Sequence, residues 1–125
     1  MRNTIRRKLL DDVSELKNVY QPNIADQHSE LPYAVVKFGS QIESTITGSF
    51  NRSVEIWVYI KRSNYNILDD LIKKCISSLN NVELTTDDGT RFALELTGIS
   101  PDGFYDSDLQ ALTKNIFFTQ GFIQK

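Results

Sequence analysis

Apolar side chains recur at helical spacing over residues 2–17. At about 100° per residue they fall on one face of a helix, while charged side chains occupy the opposite face. The pattern predicts an amphipathic helix that ends near Asn18, before Pro22 interrupts the chain. The apolar face comprises Ile5, Leu9, Leu10, Val13 and Leu16.

Two segments in the first half of the chain carry strand patterns. Residues 33–38 form a short apolar run, and residues 53–60 alternate between apolar and more polar positions. The polar residues 39–52 between them are either a loop or the far end of a long hairpin. Period-two alternation places one set of side chains on a single face of the second strand. This set is Val54, Ile56, Val58 and Ile60.

A second helix is predicted over residues 64–80. Its apolar stripe spans about 180° of the helical wheel, which is wider than contact with one sheet face requires. The extra width indicates contact with a further element, supplied either by this chain or by a partner. Ile72 and Ile76 lie on this stripe and are therefore candidate interface residues.

The C-terminal third predicts three more strands. Residues 82–86 and 91–97 flank Asp87-Asp88-Gly89-Thr90, and Asp-Gly between alternating segments is a strong hairpin signal. Residues 98–111 are a long polar connection, and residues 112–123 are apolar on both faces, as expected of a strand that is central or covered on both sides. The resulting prediction is one α+β domain over residues 1–125, in the order α-β-β-α-β-β-β. Its mostly antiparallel sheet carries both helices on one face.

Composition excludes several kinds of site. With one cysteine and one histidine, the 125 residues cannot form an internal disulfide or a zinc site with two imidazoles. No apolar run approaches the roughly 20 residues of a membrane span, and the net charge of -2 gives no overall attraction to nucleic acid. No nucleotide-binding loop or nucleophile motif is present. We therefore expect neither a catalytic site nor a cofactor or metal site.

The charges of the first helix oppose its dipole, because the cations come first and the acidic residues later. One interpretation is a charged docking surface for another copy or for an acidic partner such as DNA. The other is a solvated face with ion pairs Arg7–Asp11 and Lys8–Asp12 at i,i+4 spacing. The residues concerned are Arg2, Arg6, Arg7, Lys8, Asp11, Asp12 and Glu15.

The remaining candidates for chemistry favour ordinary structural roles. Asp102, Asp106 and Asp108 lack the full calcium-loop pattern, so a turn-forming role is preferred. His28 lies in a loop without a nucleophile motif, and Cys75 belongs to the apolar stripe of the second helix.

Trp57 and Tyr59 project from the less apolar face of the best-defined strand. Aromatic side chains on a sheet can stack on nucleic-acid bases, but basic residues are sparse here. A place in the core beneath the helices, or in a protein interface, is the preferred interpretation.

The whole pattern resembles the tail terminator and tail completion proteins of long-tailed bacteriophages, which are also described as head–tail joining proteins. The resemblance covers nearly the whole chain. It rests on the opening helix IRRKLLDDVSEL, the strand entry LPYAVV, the alternating strand SVEIWVY that leads into the second helix, and the later segments FYD and FFT.

This resemblance implies a structural protein of the virion tail or neck, assembled in the cytoplasm of the bacterial host. Such a protein forms a ring, typically a hexamer, that caps the tail tube and joins it to the head connector, with DNA only passing through the lumen. The alternatives are a head-side stopper or adaptor, and a small nucleic-acid-binding regulatory module that uses the basic first helix. The candidate interface residues are Arg6, Arg7, Lys8, Asp11, Asp12, Ile42, Glu43, Ile46, Ile72, Ile76, Phe104 and Tyr105, with residues 39–52 expected to dock on the tube.

Overall fold

The described residues of the chain form two helices and seven strands. The computed structural model describes residues 2–22, 24, 29–43, 50–61, 65–100, 103–107, 109 and 111–122. In chain order the elements are α1 (Arg2–Asp12), β1 (Asn18–Tyr20), β2 (Tyr33–Glu43), β3 (Phe50–Ile60), α2 (Tyr65–Leu79), β4 (Glu83–Thr85), β5 (Arg91–Ile99), β6 (Phe104–Asp106) and β7 (Ala111–Phe122).

The strands form one curled sheet in the order β1-β2-β3-β7-β5-β4, and β6 pairs with β7 beside β5. The β1–β2 pairing is parallel, whereas the other pairings between strands are antiparallel. The predicted α+β class and element order are confirmed, with the three-residue strands β1 and β6 added. The central position expected for the last strand is also confirmed, because β7 lies between β3 and β5.

Both helices pack on the same face of the sheet. The predicted apolar face of β3 lies in this main core, together with side chains from α1, α2, β2, β5 and β7. A smaller cluster on the opposite face contains Tyr33, Val35, Tyr59 and Ala111. The sheet is therefore covered by helices on one side and only in part by its own loops on the other.

The first helix is shorter than predicted. It ends at Asp12, although Val13 N still donates to Leu9 O at 2.9 Å. Acidic residues at a helix C-terminus oppose the dipole, and the chain must turn there to begin β1 at Asn18. Val13 and Leu16 remain buried from this turn, so the apolar stripe predicts which side chains enter the core but overestimates the length of the helix.

The predicted β4–β5 hairpin is present. Of the two alternatives for residues 39–52, the long hairpin agrees with the described residues of this segment, since β2 continues to Glu43 and β3 begins at Phe50. The β4–β5 turn closes through Thr86 N and Thr90 O at 2.8 Å, with Gly89 at a φ of 89°. The prediction of a polar connection over residues 98–111 is partly wrong, because β5 extends through Ile99 and the short strand β6 lies within this segment.

Candidate interaction surfaces

The cations of α1 do not form one continuous surface. Arg7 pairs with Asp87 of the β4–β5 turn at 2.9 Å rather than with Asp11, so that predicted pair is wrong. Lys8 pairs with Asp12 at 2.7 Å, as the i,i+4 spacing predicts. Asp11 is exposed on the same helix. Two of the four cations are thus neutralised by carboxylates of the chain itself.

Arg6 points instead toward β1. Its Nε donates to Val19 O at 3.1 Å, and one of its terminal nitrogens donates to Asn18 Oδ1 at 3.1 Å. Arg2 lies one helical turn earlier, with its guanidinium carbon 4.7 Å from the centre of the Phe38 ring. Arg2 and Arg6 together line a groove between α1 and β1 with a volume of about 380 Å³. The sequence interpretation identified both arginines, but it missed the groove because it did not predict β1.

The acidic residues near the end of α1 bind α2. Asp12 Oδ2 accepts a hydrogen bond from Ser78 Oγ at 2.7 Å, and Lys74 Nζ pairs with Glu15 Oε2 at 2.7 Å. The hydrogen bonds from Lys8 and Ser78 lower the pKa of Asp12, and the hydrogen bond from Lys74 lowers the pKa of Glu15. Asp12 therefore holds two helices together, which is a structural role for a predicted interface residue.

The end of the β2–β3 hairpin is not paired with a third strand within the described residues. The pairing of β3 with β7 begins at Arg52, whereas the Ile42↔Asn51 and Glu43↔Phe50 pairs join β2 to β3 alone. On the outer side of β2, β1 covers the edge only as far as Val35. Ile42 and Glu43 thus lie on a two-stranded extension, and the third candidate of this segment, Ile46, lies outside the described residues.

Most of the wide apolar stripe of α2 is covered by the chain's own core, although Ile67 at its start is 47% exposed. Ile72 is buried, and Ile76 is partly buried against the same cluster. α1 and strands β3, β5 and β7 supply the further contacts that the stripe width indicated. This placement corrects the expectation of an interface at Ile72, because a buried side chain offers no area to a neighbouring copy.

Exposed apolar side chains occur around the end of β5. Ile99 and Tyr105 are each 40% exposed, and Phe117 of β7 is 37% exposed. The side chain of Phe104 lies outside the described residues, although its backbone pairs with Thr113 in β6–β7. The exposure of Phe117 shows that, of the two alternatives expected from its apolar pattern, β7 is central without being fully covered on both faces.

Tyr59 and Trp57 have different environments on the sheet face opposite the helices. The Tyr59 ring stacks on Tyr33 at 5.0 Å between centres, and burial raises the pKa of its hydroxyl. Tyr59 is therefore in a core cluster, on the other face from the one expected, and its ring is not accessible to a base. Trp57 is half-buried, with Lys37 Nζ 5.5 Å from the centre of the ring system.

The other residues considered as candidates for chemistry either have structural roles or lie outside the described residues. Cys75 is buried, and desolvation raises the pKa of its thiol to about 12. Asp106 accepts a hydrogen bond from Leu109 N at 3.0 Å, which is a turn-forming contact. His28, Asp102 and Asp108 lie outside the described residues. Across the part of the chain that is described, His, Cys, Asp and Glu do not form a group of three able to hold a metal ion.

No model of a known protein family matches the chain, and no curated protein matches it either. Neither α1 nor α2, the helices of the described residues, is long and apolar enough to cross a membrane.

Proposed function

We propose that the chain is a structural subunit of a bacteriophage tail, which assembles as a ring on the end of the tail tube and joins it to the head. The observation that carries the proposal is the two-stranded extension of the β2–β3 hairpin, in which the pairs Ile42↔Asn51 and Glu43↔Phe50 have no third strand paired beside them within the described residues. The resemblance of the sequence indicates a phage tail as the assembly, and the extension offers a surface through which a subunit could bind its neighbours there.

The backbone of this extension can pair with further strands. An uncovered strand edge presents N–H and C=O groups that another chain can bind by strand addition. The pairing of β1 with β2 ends at Val35 of β2. On this edge, the described residues contribute no further strand beside residues 36–43 of β2. The extension therefore offers main-chain hydrogen bonds to a neighbouring subunit or to the tube protein.

A closed ring needs two different patches on each copy, because its interfaces are head-to-tail. The hairpin extension supplies one patch. A second is supplied by the exposed apolar side chains Ile99 of β5 and Tyr105 of β6, which lie across β7 from β3, and by Phe117 of β7 itself. Two separate surfaces of this kind are consistent with the proposed ring, in which the partners are further copies, the tube protein and the head connector.

A replacement of the hairpin tip tests the proposal. The Glu43↔Phe50 pair can be closed by a two-residue type I′ turn, so residues 44–49 are replaced by Asn-Gly. A matched variant keeps the length of residues 44–49 but consists of Gly and Ser. Each protein is mixed with tail tubes from a phage that encodes this chain and whose own copy of the gene is disrupted, and the tubes are imaged by negative-stain electron microscopy.

We expect the natural chain to cap the tubes as a ring and both variants to fold without capping them, as judged by circular dichroism and imaging. The length-matched variant separates the role of the tip side chains from that of hairpin length. Normal capping by the Asn-Gly variant would contradict tube docking through this tip. Binding of the natural chain to the head connector, with no binding to tubes, would replace the proposal with the head-side adaptor.

A further inference from the structure

The groove between α1 and β1 combines two uncompensated arginine charges with an apolar wall. It is lined by Arg2, Asn3, Arg6, Asn18, Tyr20 and Ile24, among others. We propose that this groove binds a nucleoside phosphate, either as a free nucleotide or as a unit of a nucleic-acid strand. The proposal does not depend on the assembly function.

The charges of Arg2 and Arg6 have no carboxylate partner among the described residues. Arg6 donates to a carbonyl and an amide oxygen, and Arg2 lies over the Phe38 ring. The other two cations of the helix, Arg7 and Lys8, both have carboxylate partners. Within α1, the positive charge is therefore left uncompensated only on the side that faces the groove.

This arrangement is unfavourable for the helix alone. Like charges at i,i+4 spacing repel each other, and cations near a helix N-terminus oppose its dipole. In addition, Arg2 Nε is buried and has no hydrogen-bond partner within the described residues. An anion bound in the groove relieves the repulsion and the unfavourable dipole interaction, because it compensates the charges of both arginines.

Arg6 is already oriented for this purpose. Its two hydrogen bonds to β1 fix the plane of the guanidinium group, so less side-chain freedom is lost when a ligand binds. Its second terminal nitrogen makes no hydrogen bond within the described residues. Arg2 and Asn3 approach the same groove from the first turn of α1.

The ligand class follows from charge and size. A phosphate group carries a charge of about -1.5 to -2 and three strong acceptor oxygens, so it matches two guanidinium charges more closely than the single charge of one carboxylate does. The groove volume of about 380 Å³ is in the range of small-molecule sites and exceeds the size of one phosphate. Tyr20 and Ile24 line the same groove, and Ile24 is 63% exposed. These side chains provide an apolar surface for a nucleobase.

Titration of the ¹⁵N-labelled chain, monitored by NMR, tests the proposal at low ionic strength. The probes are deoxyadenosine monophosphate, inorganic phosphate, a ten-residue oligothymidylate and an acidic peptide of similar charge. The variant is Arg2→Gln with Arg6→Gln. The matched control is Arg7→Gln with Lys8→Gln, which removes the same charge from the same helix outside the groove.

We expect the nucleotide to bind more tightly than inorganic phosphate, with shifts in the resonances of residues 18–21. The groove variant should weaken nucleotide binding by about ten-fold or more, because two charge-assisted contacts are lost, and the control should change it by less than about two-fold. Tighter binding of the oligonucleotide, lost in the same variant, would identify a nucleic-acid strand as the source. Equal or weaker binding would identify the free nucleotide.

Three results would overturn the proposal: no binding of the nucleotide, equal losses in the groove variant and the control, or tighter binding of the acidic peptide. Because Arg6 also holds β1, Arg2→Gln alone is tested in parallel. Arg2 makes no hydrogen bond within the described residues, so this variant keeps the fold intact while it removes one of the two proposed phosphate contacts.

Discussion

Gly39 lies in β2 where the register with β3 shifts, so that Gly39 and Ser40 stand opposite Ser53. A Cβ atom at Gly39 would lie 1.9 Å from Ser53 Oγ and 3.3 Å from Ser53 Cβ. We expect Gly39→Ala to lower the free energy of unfolding by about 1 kcal/mol, since rotation of the exposed hydroxyl relieves only part of the contact. Urea unfolding measures this change.

A second substitution identifies the cause. In a Ser53→Ala background the hydroxyl is absent, so Gly39→Ala should cost less there than in the natural chain. Gly121→Ala is the matched control, because no atom lies within 4 Å of the position its Cβ would take. Equal costs of Gly39→Ala in the two backgrounds would show that the contact with Ser53 is not responsible.

The ion pairs of α1 show which contacts sequence spacing alone can predict. The i,i+4 rule correctly predicts the Lys8–Asp12 pair, because both partners lie on one helix. It fails for Arg7, whose partner Asp87 comes from a hairpin 80 residues later in the chain. The groove at Arg2 and Arg6 was missed for the same reason, since its other wall is β1.

At the scale of elements, periodicity predicts which side chains are buried better than it predicts where elements end. The alternation of β3 and the stripe of α2 both match the core. The end of α1 and the three-residue strands β1 and β6 depend instead on contacts with β2 and β7. Segments so short carry too few residues for a period to be recognised.

The contact between α2 and β7 includes an ion pair with unequal burial. Lys114 Nζ lies 3.0 Å from Asp69 Oδ1, and the side chain of Lys114 is 15% exposed against 46% for Asp69. Asp69→Ala leaves the largely buried Lys114 side chain without its partner, so we expect a loss of about 1–2 kcal/mol in unfolding free energy. Lys114→Met removes this positive charge and should cost less, because the remaining carboxylate is open to water.

Asp70→Ala provides the control for this pair. Asp70 is the next residue of α2 and is exposed, with no ion pair or hydrogen bond within the described residues. The substitution Asp70→Ala changes the helix propensity in the same way as Asp69→Ala does. Thermal and urea unfolding of the two variants can therefore be compared directly. Equal stability of the Asp69 and Asp70 variants would show that the ion pair does not stabilise the contact between α2 and β7.

At the scale of the whole molecule, several hydrogen-bonded carboxylates make stability depend on acidity. The pKa values of Glu15 and Glu83 are lowered by Lys74 and Arg91, and hydrogen bonds from Thr86 and Thr90 lower the pKa of Asp88 to about 2. A pKa that is lower in the folded state means that the unfolded state binds protons more tightly. The resulting stabilisation is present above the ordinary values of 4.5 for Glu and 3.8 for Asp, and it is lost as the pH falls through the folded-state values.

We therefore expect the unfolding midpoint in urea to stay nearly constant above about pH 5 and to fall between pH 4.5 and about 2. The combined variant Glu15→Gln, Glu83→Gln and Asp88→Asn should reduce this fall, because it removes groups that release their protons on folding. A control with Asp11→Asn, Asp70→Asn and Glu95→Gln removes the same charge from exposed carboxylates that form no ion pair within the described residues. If acid destabilised the combined variant as much as the natural chain, protonation of groups other than Glu15, Glu83 and Asp88 would cause the loss of stability. If the control reduced the fall equally, net charge rather than these hydrogen bonds would determine the acid response.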